Sequence, residues 1–119
     1  MGKGIIIDKS KSFAIRIVRL YKYLCEEKKE YVMAKQLLRS GTSIGANIQE
    51  AEYAISKKEF IAKRQISLKE AAETMYWLEL LRETEYISDE QFTSVSADCE
   101  ELIKMLTVAI KTAKERISE

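Results

Sequence analysis

The sequence has no histidine and no proline, only four glycines and two cysteines among 119 residues, and no long apolar run. Each absence excludes something. Without histidine, the commonest general base and metal ligand is missing, and Cys25 and Cys99 alone cannot complete an ordinary metal site. Neither a metal nor a cofactor is expected. Both cysteines fall on apolar helical faces and read as buried thiols rather than ligands or a disulfide. No stretch approaches the ~20 apolar residues that span a bilayer. Ile5-Ile6-Ile7, behind Gly2-Lys3-Gly4, is too short a run for a signal peptide, so a cytoplasmic chain with no membrane partner is expected. Gly41-Thr42-Ser43-Ile44-Gly45 lacks the following lysine and the preceding strand of a phosphate-binding loop. Ser40, Thr42 and Ser43 have no evident base beside them.

What remains is rich in Ala, Leu, Ile, Glu and Lys, the composition of an all-α protein. One domain over residues 1–119 accommodates it, and a chain of this size buries about two-thirds of its unfolded surface. Apolar periodicity predicts helices over about 9–28, 31–54, 57–84 and 89–117. Short connections make neighbours antiparallel, which gives an up-down-up-down four-helix bundle. Asp8, Ser10 or Ser12 can cap the first helix, and Ser56-Lys57-Lys58-Glu59 and Ser88-Asp89-Glu90-Gln91 are capping boxes for the last two.

The stretch Arg39 to Ile48 stands out in the second helix. Gly41 and Gly45 each cost about 1 kcal/mol against alanine in a helix, a cost that signals a turn unless something compensates. Yet Leu37, Leu38, Gly41, Ile44, Gly45, Ile48, Ala51 and Ile55 recur at three- and four-residue steps without a change of phase, as on one continuous helix. The glycines then lie inward, where another helix can approach closely. Ser40, Ser43, Asn47 and Ala54 form a second small-residue seam beside them.

Lys35-Gln36-Leu37-Leu38 with Arg39 to Ile48, Ser56-Lys57-Lys58, Glu59-Phe60-Ile61, Ser67-Leu68-Lys69-Glu70-Ala71 and Tyr76-Trp77-Leu78-Glu79-Leu80-Leu81 together resemble a bacterial four-helix-bundle family. These are the proteins encoded in intervening sequences of 23S ribosomal RNA genes, and the chain is also similar to the accessory variability determinant of diversity-generating retroelements. The resemblance covers nearly the whole chain. It implies a small helical bundle that assembles with copies of itself, a pentamer being favoured, with RNA or other nucleic acid as the suspected ligand and no agreed activity.

Net charge is only +1, but residues 1–40 hold ten Lys and Arg against four acidic residues, a balance of +6 that leaves −5 for the remainder. An uneven chain can hold a polyanion on one face, or copies of itself head to tail. At about 100° per residue, Lys9, Ser12, Arg16, Arg19 and Tyr23 share a face of the first helix. A solvated surface is the plainer account of this stripe. Phosphate tracking is the functional one, since arginine forks onto phosphate and an aromatic ring stacks on an unpaired base. Lys35 and Arg39 share the outer face of the second helix and would extend the stripe if the two faces adjoin. Arg16, Arg19, Lys35 and Arg39 are the expected contacts, with Lys9 and Lys22 peripheral and Tyr23 a candidate stacker.

On the third helix, Phe60, Ile61, Leu68, Ala71, Ala72, Met75 and Leu78 form a core face. Ile66, Trp77 and Leu81 form a second apolar stripe, expected at a subunit interface; a broad core with one exposed tryptophan is the alternative. Arg64 falls inside the core-facing arc and needs a partner, for which Asn47, Glu50 and Glu73 are the candidates. A structural polar network is the better reading of this group than an active site. A non-enzymatic, self-assembling bundle that binds RNA or single-stranded DNA is therefore expected, with a protein scaffold that docks another protein as the alternative.

Overall fold

Four helices succeed one another, α1 over Gly2–Glu26, α2 over Val32–Ala51, α3 over Lys57–Glu83 and α4 over Asp89–Ser118, in a computed structural model that describes residues 2–118. Contacts between neighbours fix their directions. Gly41 lies against Ile17 and Gly45 against Ser10; Lys63 meets Glu50 and Arg39 meets Glu70; the Cys99 thiol donates to the Ala71 carbonyl and Arg82 lies over the Phe92 ring. In each pair one number rises as the other falls, so neighbours are antiparallel. Arg16 beside Asp98 closes α4 onto α1. The expected up-down-up-down bundle results, with extents of 51 × 22 × 22 Å.

Local chemistry sets most of the ends. Ser56 accepts the Glu59 amide at 3.1 Å, and Glu59 returns to the Ile55 amide rather than to that of Ser56. Ser88 and Gln91 close the reciprocal box, each accepting from the other's backbone N–H. α1 departs from expectation by beginning at Gly2. Ile6 is buried in the core, and Ser10 lies mid-helix with its hydroxyl on the Ile7 carbonyl, so none of Asp8, Ser10 and Ser12 starts the helix. α2 stops at Ala51, which leaves Ile55 93% exposed rather than on the apolar face of that helix.

The core is built from Phe13, Ile17 and Leu24 of α1, Leu37, Ile44 and Ile48 of α2, Ala71, Leu78 and Leu81 of α3, and Cys99, Leu102 and Leu106 of α4. Burial of each large aliphatic side chain contributes about 1.5–3 kcal/mol. The α2 glycines explain the closeness of α1. A methyl group at position 41 would stand 2.8 Å from both γ-carbons of Ile17, and one at 45 would stand 3.3 Å from the Ser10 carbonyl oxygen. The second small-residue seam meets α3: Ser67 donates to the Ile44 carbonyl at 2.8 Å, and Thr74 to the Ser40 hydroxyl at 2.9 Å. These hydroxyls supply buried polarity that is already paired. Among the described residues, no helix is long and apolar enough to cross a membrane.

Candidate nucleic-acid interface

α1 presents Lys9, Arg16 and Arg19 along one groove of about 510 Å³, whose far wall is Asp98 and Glu101 of α4. Two of these cations are engaged by that wall. Lys9 bridges Glu101 at 3.1 Å, and Arg16 bridges Asp98 at 2.7 Å while also donating to the Ser94 carbonyl and hydroxyl. The acidic first half of α4 thus lies along the basic stripe of α1, as antiparallel order requires.

Arg39 turns the other way. It forks onto Glu70 and Glu73 of α3, on the opposite flank of α2 from α1. The pairing holds the Arg39 guanidinium above its ordinary pKa, chiefly through Glu73, and holds Glu73 below its own, chiefly through Arg39 and then the Trp77 indole N–H. Arg16 and Arg39 therefore do not extend one surface: one faces α4 and the other α3. Arg19, Lys22 and Lys35 are exposed and have no ion pair among the described residues. Tyr23 is half-buried and packed on the core, so part of its ring is already covered.

The second apolar stripe of α3 divides in the same way. Leu81 is fully buried in the subunit's own core and cannot serve an interface. Trp77 is half-buried, packed on that core edge-on to Tyr76, with its indole N–H donated to Glu73 at 2.9 Å. Ile66 alone of the three stands exposed on the outer face, along with Tyr76. The helix is rotated so that Arg64, Ser67 and Thr74 point inward, which widens the buried arc and draws Leu81 into it.

The expected polar network is dispersed. Glu50 pairs with Lys63, Glu73 with Arg39, and the Asn47 amide donates to the Ser43 carbonyl. Arg64 is buried as expected, but its carboxylate is Glu52, 3.6 Å away in the turn after α2. Helix phase points to residues within α2, whereas Glu52 reaches Arg64 from just beyond the end of that helix. Burial pushes the Arg64 pKa down, partly offset by Glu52. Antiparallel order also brings Lys57 and Lys58, at the start of α3, to the same end of the bundle as Lys111 and Arg116 of α4, a grouping that the sequence alone does not make.

The family described as 23S rRNA-intervening sequence protein matches residues 3–108. A solved structure from Bacteroides thetaiotaomicron, described as a protein with unknown function from the S23 ribosomal protein family, is 58% identical, covers 93% of this chain and 99% of its own, and superposes with a TM-score of 0.92. No curated protein matches.

Proposed function

We propose, for a chain that belongs to the 23S rRNA-intervening sequence protein family, a non-enzymatic role: copies assemble and bind RNA or single-stranded DNA through the basic faces of α1 and α2. The observation that carries this reading is that Arg19, Lys22 and Lys35 remain exposed, with no carboxylate partner among the described residues. They are the first phosphate contacts. Lys9 and Arg16 are held by part-exposed ion pairs of the kind worth about 0.2–1 kcal/mol, so an incoming phosphate exchanges for a carboxylate at little cost; Arg39, forked onto Glu70 and Glu73, is held more firmly. A single subunit offers few contacts, and repetition in an oligomer multiplies them by avidity. Self-association has surfaces to use: Tyr53 and Ile55 on the α2–α3 turn are 78% and 93% exposed, and Ile66 and Tyr76 stand out from α3. Separation of Glu50, Glu73 and Arg64 into different ion pairs supports the absence of chemistry.

The test is charge reversal at Arg19, Lys22 and Lys35 together. Binding of a labelled single strand should fall at least tenfold while far-ultraviolet circular dichroism and subunit count stay unchanged. Unchanged affinity removes these contacts. If the unmodified assembly does not bind at low salt, the protein-scaffold reading takes its place.

A further inference from the structure

The turn between α1 and α2 breaks two local preferences. Lys29 takes φ 55°, the left-handed conformation that usually falls to glycine after a helix. Two residues on, Tyr31 stands at the N-cap of α2, where Ser, Thr, Asp and Asn are favoured, and its side chain caps nothing. The turn is nonetheless firmly held. The Glu30 N–H donates to the Leu24 carbonyl at 3.0 Å, and the Glu30 carboxylate accepts from the Ala34 N–H at 2.9 Å. In a chain otherwise consistent with its fold, such breaches concentrate at functional positions.

Tyr31 is 52% exposed, and its hydroxyl has no hydrogen bond among the described residues. Lys35 lies one helical turn along the same face of α2, its N–H donated to the Tyr31 carbonyl at 3.3 Å. The antiparallel pairing of Gly41 with Ile17 brings Lys22 of α1 to about the height of Lys35. Lys22, Lys28, Lys29 and Lys35 are all exposed, with no ion pair among the described residues. Glu26 and Glu27 are the exposed carboxylates nearby, since that of Glu30 is drawn onto the backbone. Other rings are placed differently: Tyr23 is packed on the core, Tyr53 lies beyond the opposite end of α2, and Tyr76 is edge-on to Trp77 on α3. Tyr31 is therefore the open ring beside the spare cations of α1 and α2. Cations suit a polyanion, and an open ring suits a flat base. In a duplex the base faces are stacked on one another, so only an unpaired base has a face to offer.

We propose that Tyr31 stacks on an unpaired base of RNA or DNA, with Lys29 and Lys35 on the adjoining phosphates, so that the α1–α2 turn selects single strands. This rests on the reading of α1 and α2 as a nucleic-acid interface, and it moves the stacking ring from Tyr23 to Tyr31.

Fluorescence anisotropy of the intact assembly with a short labelled RNA strand, the DNA strand of the same sequence and the duplex tests this. Tyr31→Ala should weaken both single strands about tenfold, toward the low end of what stacking one base confers, and leave the duplex unchanged. The salt slope should stay as it was, because the ring carries no charge. Tyr31→Phe keeps the ring and should keep the affinity. Lys29→Gly relieves the left-handed turn and should raise the urea midpoint, yet weaken both strands about twofold with a shallower salt slope. If Tyr31→Ala bound the single strands as tightly as the unmodified chain, the stacking would be overturned and the cation assignment would stand. An equal loss for the duplex would place the ring on the backbone, and a loss confined to RNA would place it on the ribose hydroxyl; either overturns the proposal. A changed subunit count in Tyr31→Ala would make the ring an assembly contact and overturn it as well. If the unmodified assembly bound no strand at low salt, the nucleic-acid reading itself would fall, and this site with it.

Discussion

α1 is joined to its two neighbours by opposite means. Against α2 it meets glycine: the γ-carbons of Ile17 occupy the space that a side chain at Gly41 would need, and Ser10 passes close to Gly45. Against α4 the two walls are bridged by Lys9–Glu101 and Arg16–Asp98, ion pairs whose side chains are a third to a half exposed, with a groove between them. Dispersion and dehydration hold the first contact. At the second, the rim outside the shared core is held by charges that water screens. The difference bears on function, because charges that contribute little to the fold are free to exchange for a ligand's.

Substitution at the tight contact should have the largest effect. Gly41→Leu has no room beside Ile17 and should cost about 3 kcal/mol of stability, at the upper end for an overpacked core, measured by urea unfolding. The buried hydroxyl seam between α2 and α3 comes next. Ser67→Ala removes the donor to the Ile44 carbonyl and should cost about 1 kcal/mol in the same experiment. Arg16→Gln, at the α1–α4 contact, should cost about 0.5 kcal/mol at low salt and nothing measurable at high salt. If Arg16→Gln matched Gly41→Leu, the two contacts would not differ as described.

A titration probes the Arg39 flank with a smaller signal. Glu73 has its pKa below the ordinary carboxylate range in the folded chain, because Arg39 and the Trp77 indole both favour its charged form. Its stabilisation is therefore complete above the unfolded carboxylate pKa and is lost as pH falls through the folded value. Trp77 is the sole tryptophan, so its emission should report this step at a pH below that of an unperturbed glutamate. Arg39→Met should move the midpoint upward.

The helical architecture was legible because it rests on periodicity and caps. Leu37, Ile44 and Ile48 repeat in phase on α2 and are buried there, and the serines of both capping boxes accept the amides that their spacing implies. The glycines of α2 were readable as a close approach because their phase did not change. The site was less legible, since a side chain's partner depends on helix rotation and on turns, which spacing leaves free. Leu81 reads as an outer residue until Arg64, Ser67 and Thr74 are seen pointing inward. Arg39 reads as a continuation of the α1 stripe until Glu70 and Glu73 claim it. Arg64 needed a carboxylate, but Glu52 supplies it from a turn to which no helical phase applies.

The most direct test of the central claim is fluorescence anisotropy of a short labelled RNA with the intact assembly, taken from low to raised salt. Contact through the α1 and α2 cations predicts binding at low salt that weakens steeply, with a log–log slope of about −0.7 for each phosphate neutralised on a single strand. Absence of binding at low salt, or binding indifferent to salt, would contradict it.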